Sequence, residues 1–168
     1  MTRLGQIHLD IDSRVEAIRA NRPDWLCAKG CDSCCRQLAD GPQLTASEWA
    51  LLRDGLAELA PKRLGEIRQA LRALAAQAGE RPRRVVCPVL DVATGACPVY
   101  AQRPVACRTY GFYVQRGQGL YCHDIESRVA AGALADVVWG NHDAVDARLK
   151  GLGENRALTD WFAAWESE

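Results

Sequence analysis

Four cysteines fall within nine residues, Cys27-Ala28-Lys29-Gly30-Cys31-Asp32-Ser33-Cys34-Cys35, and no other stretch of this 168-residue chain constrains its folding as strongly. Sulfur donors this close together suit a metal, because zinc ions and iron–sulfur clusters both take soft anionic sulfur in tetrahedral array around each ion. Four more cysteines follow at Cys87, Cys97, Cys107 and Cys122. The N-terminal residues lack the apolar core and small-residue cleavage site of a secretory signal, and no segment approaches the length of a membrane span. The expected location is therefore the cytoplasm, where eight cysteines read as metal ligands or redox thiols rather than as a disulfide framework.

The length fits one domain, residues 1–168, with room for a real apolar core. Charge balances at 21 basic against 21 acidic residues, so no nucleic-acid partner and no anionic membrane is expected. Locally the balance breaks: residues 81–122 carry six Arg against Asp91 alone, and residues 123–168 carry four basic and nine acidic side chains. The basic block coincides with the later cysteines, where it can compensate thiolate charge or form a solvated face.

Leu4, Ile7, Ile11, Val15 and Ile18 recur at helical intervals, which predicts an amphipathic helix to about Ala20, ended by Asn21-Arg22-Pro23. Asp32 or Ser33 is placed to cap a helix starting at Cys34-Cys35. Thr45-Ala46-Ser47-Glu48 is a capping-box signature ahead of Trp49, Leu52, Leu56 and Leu59, and the helix should run to Pro61. A third helix is marked by Leu64, Ile67, Leu71, Leu74 and Ala78 and closes at Gly79. These two helices hold no cysteine or histidine and are expected to cover the cysteines as an antiparallel hairpin.

From Arg81 short extended pieces and turns take over. Cys-Pro-Val occurs at 87–89 and again at 97–99, two similar turns presenting sulfur. Residues 111–114 and 120–122 flank Arg116-Gly117-Gln118-Gly119, a candidate hairpin turn. The tail from Asp124 reads as helices interrupted near Gly140-Asn141 and Gly151-Leu152-Gly153, with Trp139, Trp161, Phe162 and Trp165 for packing. Of the histidines, His8 is expected on the surface and His142 at a helix break, while His123 abuts Cys122 and reads equally as a ligand or a surface residue.

Cys34 and Cys35 share a peptide bond, so sequence geometry argues against both serving one ion without backbone distortion. One of them then turns to a second metal or remains a redox thiol, and the missing ligands come from Cys87, Cys97, Cys107 or Cys122. Metal binding and folding would be coupled. The spacing Cys27-x3-Cys31-x2-Cys34 is also that of radical S-adenosylmethionine enzymes, but two helices and then turns follow it, not a barrel of alternating strands and helices. Cys31-Asp32-Ser33-Cys34 lacks the βαβ setting of a thioredoxin-type site.

The ordered set Cys27-x3-Cys31-x2-Cys34-Cys35, Cys87-Pro88-Val89-Leu90-Asp91 and Cys97-Pro98-Val99-Tyr100-x2-Arg103-Pro104-x2-Cys107-Arg108-x-Tyr110-Gly111 resembles the YkgJ-like cysteine-cluster family, named for a Cys-x2-Cys-x2-Cys-Cys signature and associated with zinc or iron chelation. The resemblance covers about residues 27–111. It departs at the first step, where three residues rather than two separate Cys27 from Cys31. It implies a metal centre from Cys27, Cys31, Cys34, Cys35, Cys87, Cys97 and Cys107, with Cys122 as this chain's own addition. Arg103 and Arg108 can donate to sulfur or to nearby carbonyls around that centre. Tyr100 and Tyr110 are expected to pack over it.

The reading is thus an α+β, mostly helical single domain with short strands and turns around a cysteine metal cluster, iron–sulfur set slightly ahead of zinc. Its expected role is redox or accessory to a partner protein or enzyme. The alternative is a structural zinc-binding adaptor; an independent catalyst lacks a visible acid or base apart from Cys122-His123.

Overall fold

The computed structural model describes residues 1–20, 22–77, 84–117 and 122–168. The class is α+β with helices predominating: seven α-helices, one 3-10 helix and four very short strands among the described residues. The chain divides into two compact units, the first comprising Met1–Ala28 and Val105–Leu152, the second Lys29–Pro104 and Gly153–Glu168. The cysteine-rich nonapeptide therefore straddles a unit boundary, with Cys27 in the first unit and Cys31, Cys34 and Cys35 in the second. Among the described residues, no helix is long and apolar enough to cross a membrane.

In the first unit, α1 (Arg3–Arg19) begins where the Thr2 side chain accepts from the Gly5 amide, satisfying one of the amides that a helix start leaves open. Leu4, Ile7, Ile11 and Ile18 are buried, as their periodicity predicts. His8 is buried with them, which corrects its surface assignment. Its place one helical turn after Leu4 and three residues before Ile11 puts it on the apolar stripe rather than opposite it.

Helix α1 packs against α4 (Val105–Thr109) and α6 (His142–Leu149). Arg108 on α4 is 8% exposed and donates to both carboxylate oxygens of Asp12 on α1, at 3.1 and 3.0 Å. The helix α5 (His123–Ala130) contributes Ile125, 1% exposed. Asn141 caps α6 by accepting from the Ala144 amide, so His142 is not the cap; its Nδ1 instead lies 3.1 Å from Asp146 Oδ2.

Strand β2 (Tyr113–Val114) pairs in parallel with β3 (Gly140–Asn141), a pairing that nothing in the local sequence signals. Gly140 permits it, because a Cβ there would lie 2.4 Å from the Tyr113 ring. Part of the expected hairpin, residues 118–121, lies outside the described residues, as do Asn21 and the stretch 78–83 in which the third helix was expected to close.

The second unit is built around β1 (Gln43–Thr45), α2 (Ala46–Ala57), α3 (Pro61–Ala76), β4 (Asn155–Ala157) and α7 (Leu158–Glu166). The capping box forms as expected: Glu48 N donates to Thr45 Oγ1, and Glu48 Oε2 accepts from the Thr45 amide at 2.9 Å. Helix α2 ends at Ala57 and Pro61 starts α3, where its missing N–H costs no hydrogen bond.

The apolar stripes of both helices enter one core, Leu44, Trp49, Leu52, Leu56, Ile67, Leu71, Val89, Val99, Leu158 and Phe162, against which Cys87 and Cys97 pack. Each fully buried aliphatic side chain contributes roughly 1.5–3 kcal/mol relative to exposure. Strand β1 runs antiparallel to β4 with Leu44 opposite Arg156, and Trp161 Nε1 donates to Leu44 O at 2.9 Å.

The candidate metal centre

In the second unit the Cys34 and Cys35 sulfurs are neighbours, and the backbone joins Cys87 to Cys35. No helix starts at Cys34: the chain makes one turn, Arg36 N to Asp32 O at 3.0 Å and Gln37 N to Cys34 O at 3.3 Å, and then becomes extended. The reason is Leu38, which exchanges both backbone hydrogen bonds with Val85, at 2.9 and 2.8 Å, and so leaves no amide to continue a helix. Asp32 pairs with Arg36 instead of capping a helix. Just past that bridge, Cys87 N donates to Cys35 O at 2.7 Å, which seats the first Cys-Pro-Val turn beside the adjacent cysteines.

The Cys34 and Cys35 sulfurs lie 4.0 Å apart. Metal–sulfur bonds of about 2.3 Å in a tetrahedron set sulfurs roughly 3.8 Å apart, close to the separation of these neighbours. The hydrogen bond from Cys35, joined by the amides of Cys35 and Cys34, lowers the Cys34 thiol to about 7 against the opposition of burial and Asp32. A turn and a neighbouring thiol do this, where the sequence predicts a helix start.

Both Cys-Pro-Val turns aim backbone at sulfur. Burial pushes the Cys87 thiol up, the Val89 and Leu90 amides oppose that push, and negative charge on Cys97 or Cys34 reinforces it. Burial likewise raises Cys97, countered by the Val99 amide and by the charges of Arg103 and Arg63. Proline explains the repeat: it has no N–H, so the first amide after the cysteine belongs to the valine two residues on. Arg103 donates to Tyr100 O at 2.9 Å with its guanidinium 3.7 Å over the Tyr100 ring, and Lys29 lies 5.8 Å over the same ring.

Arg63 goes unrecognised in the sequence because α3 reads as an ordinary core helix. It donates to Val89 O at 3.2 Å, and its buried Nε has no hydrogen-bond partner among the described residues. Its guanidinium also pairs with Glu66 at 2.9 Å, and its positive charge opposes the rise of the Cys97 thiol, which suits a negatively charged thiolate centre. No sequence signal distinguishes it from Arg68 or Arg72 on the same helix.

Cys31 is exposed, following Gly30 in the left-handed region at φ 97°. In the first unit, the Cys27 thiol donates to Tyr110 O at 3.6 Å, Cys107 is exposed on α4, and half-buried Cys122 is the residue before α5. His123 is exposed, and Arg108 meets Asp12 as described. Among the described residues, no three His, Cys, Asp or Glu side chains close around one point; the sulfurs are neighbours without forming a finished coordination shell. The donor set nonetheless fits a sulfur-ligated metal in type and in its surrounding N–H groups. Cys34, Cys35, Cys87 and Cys97 would hold it, and it would supply an electron-accepting or a purely cross-linking centre according to the metal bound.

No match is found among curated proteins, and none among solved structures. The family model CxxCxxCC, described as "Putative zinc- or iron-chelating domain", matches residues 26–130. That match runs past Cys107 and takes in Cys122, which therefore lies inside the family's domain and not beyond it. With well over half its length matched, and with its sulfurs gathered on two Cys-Pro-Val turns and a vicinal pair, the chain belongs to the CxxCxxCC family of zinc- or iron-chelating domains.

Proposed function

We propose that the protein binds its metal in the second unit through Cys34, Cys35, Cys87 and Cys97, with Cys31 on the adjoining turn as a further sulfur. We infer that the centre is an iron–sulfur cluster serving a partner enzyme in a redox or accessory role. The observation that carries this reading is the set of amides from Val89, Leu90 and Val99 directed at the Cys87 and Cys97 sulfurs, together with the Arg63 and Arg103 charges beside Cys97. Hydrogen bonds and positive charge near sulfur stabilise thiolates around either metal and, around a cluster, also set its reduction potential, the property a redox role uses.

The 4.0 Å approach of Cys34 and Cys35 favours a second reading, a single tetrahedral zinc ion that staples the unit as an adaptor. The two readings separate cleanly. Anaerobic purification followed by iron, zinc and acid-labile sulfide analysis and an absorption spectrum should give a coloured protein with iron and sulfide. A colourless protein holding stoichiometric zinc, with neither iron nor sulfide after strictly anaerobic handling, would reject the redox reading in favour of the zinc staple.

A further inference from the structure

Arg36 ties the turn that carries Cys34 and Cys35 to the loop between the two Cys-Pro-Val turns. Its Nε donates to Asp32 Oδ2 at 2.5 Å within its own turn, and its Nη2 donates across to Val92 O at 3.0 Å. Asp32 meets the same loop a second time: a Cβ built on Gly95, whose φ is +70°, would lie 3.0 Å from Asp32 Oδ2. The guanidinium and the carboxylate, bonded to each other, thus touch the loop at two points, and position 95 has neither the room nor the backbone angle for a side chain. The loop itself is closed by its own hydrogen bonds. Asp91 N donates to Ala96 O at 2.9 Å, Gly95 N donates to Asp91 O at 2.8 Å, and Asp91 Oδ1 accepts from the Ala93 and Thr94 amides at 3.0 and 3.3 Å. Cys97 follows Ala96 directly, so a displacement of this closed loop carries the Cys97 sulfur with it.

We propose that Arg36 is a positioning residue of the metal centre: by gripping the Val92 carbonyl it sets Cys97 in register with Cys34 and Cys35. This rests on the ligand set proposed above. Main chain ties the Cys87 turn to Cys35, and the Arg36 side chain ties the loop ahead of Cys97 to the same turn. Arginine suits the task because its donors diverge from a rigid plane, one towards Asp32 and one towards Val92 O, a geometry that the single ammonium of lysine does not reproduce. The Arg36 and Asp32 side chains are 40% and 25% exposed, and an ion pair so open to solvent adds little to overall stability. Its loss is therefore read in how the sulfurs hold metal and not in whether the chain folds, since contacts that orient ligands govern metal affinity.

The test titrates the reduced full-length chain with cobalt(II) under anaerobic conditions, because the visible bands of thiolate-bound cobalt report both how many sulfurs bind and how they are arranged. Arg36→Met should bind cobalt about 10–100-fold more weakly than the wild type, with a weaker sulfur-to-cobalt charge-transfer band per ion, while the thermal midpoint of the metal-free protein stays unchanged. Arg36→Lys, which keeps the charge beside Asp32, should remain weaker than the wild type, and it decides the question if Arg36→Met fails to fold. Wild-type affinity and spectrum in Arg36→Met overturn the proposal, and so does wild-type behaviour of Arg36→Lys, which would make charge alone sufficient. An altered midpoint of metal-free Arg36→Met large enough to account for the whole loss of affinity also overturns it, in favour of a purely structural role. Cys34→Ser and Cys97→Ser, titrated in parallel, separate this proposal from the one beneath it. If both lose cobalt while Arg36→Met does not, the positioning role alone falls; if both bind cobalt as the wild type does, the ligand set and the positioning role fall together.

Discussion

The backbone amide of Cys87 donates to the carbonyl of Cys35 at 2.7 Å, joining the end of the cysteine-rich nonapeptide to the first Cys-Pro-Val turn. Reinforced by the paired bonds between Leu38 and Val85, this link decides which sulfurs of the second unit are neighbours. It joins main-chain groups, so part of the site's arrangement is carried by the backbone itself.

If that organisation serves a metal, Cys97→Ser and Cys34→Ser should each lower metal per chain, with affinity reduced by at least about tenfold, since losing a ligand exceeds the roughly 10–100-fold cost of losing a supporting contact only in degree. Elemental analysis of the purified variants checks this. Full loading of both variants would remove these residues from the ligand set.

Arg63→Met should weaken metal binding by roughly 10–100-fold while leaving the helical signal of α3 in circular dichroism unchanged, because the side chain holds Val89 O and places positive charge near Cys97. Competition with a colorimetric chelator gives the affinity. Arg63→Lys keeps the charge but loses the fork and should recover only part of it; equal affinity for all three proteins contradicts the assignment.

Thiol reactivity in the metal-free, reduced protein should differ sharply between neighbours. Cys34 is pulled below its ordinary value near 9.0 to about 7, so its alkylation by iodoacetamide should reach half its plateau rate near pH 7. Cys87, raised by burial, should react slowly until well above pH 9.0. The linkage sign follows: a folded value below the unfolded one means the native state binds fewer protons, so the Cys34 contribution to stability is complete above about pH 9 and is lost as pH falls through about 7. A half-rate pH near 9 for Cys34 contradicts the turn geometry.

Two substitutions test the second unit's scaffold. Thr45→Ala removes the capping box and should cost about 1 kcal/mol, a fall in Tm of roughly 2–4 °C. Leu56→Ala opens a cavity at a fully buried position and should cost about 2–5 kcal/mol. Thermal and urea unfolding measure both, and a smaller effect for Leu56 than for Thr45 would contradict the core as described.

Much of the helical scaffold is legible because its signals are local. The periodic Leu4, Ile7, Ile11 and Ile18, the Thr45–Glu48 box and the breaks at Gly140 and Gly151 each state their meaning within a few residues. The strands are not legible, since pieces of two or three residues such as Tyr113–Val114 and Gly140–Asn141 are too short to show a period of two. His8 misleads because its polarity suggests the surface, whereas its helical position places it on the buried stripe. Arg63 is invisible, since its role depends on a turn more than twenty residues away in sequence.

What the sequence determined by itself was chemical: eight sulfurs in a metal-binding pattern, two matching Cys-Pro-Val turns, helices to pack around them, and the family to which the motifs belong. Only the tertiary structure decided how the cysteines divide, with Cys27, Cys107 and Cys122 in the first unit and Cys31, Cys34, Cys35, Cys87 and Cys97 in the second. Residue type fixes what a thiol can bind; which thiols meet depends on long-range backbone hydrogen bonds, Cys35 to Cys87 and Leu38 to Val85, that leave no trace in local periodicity.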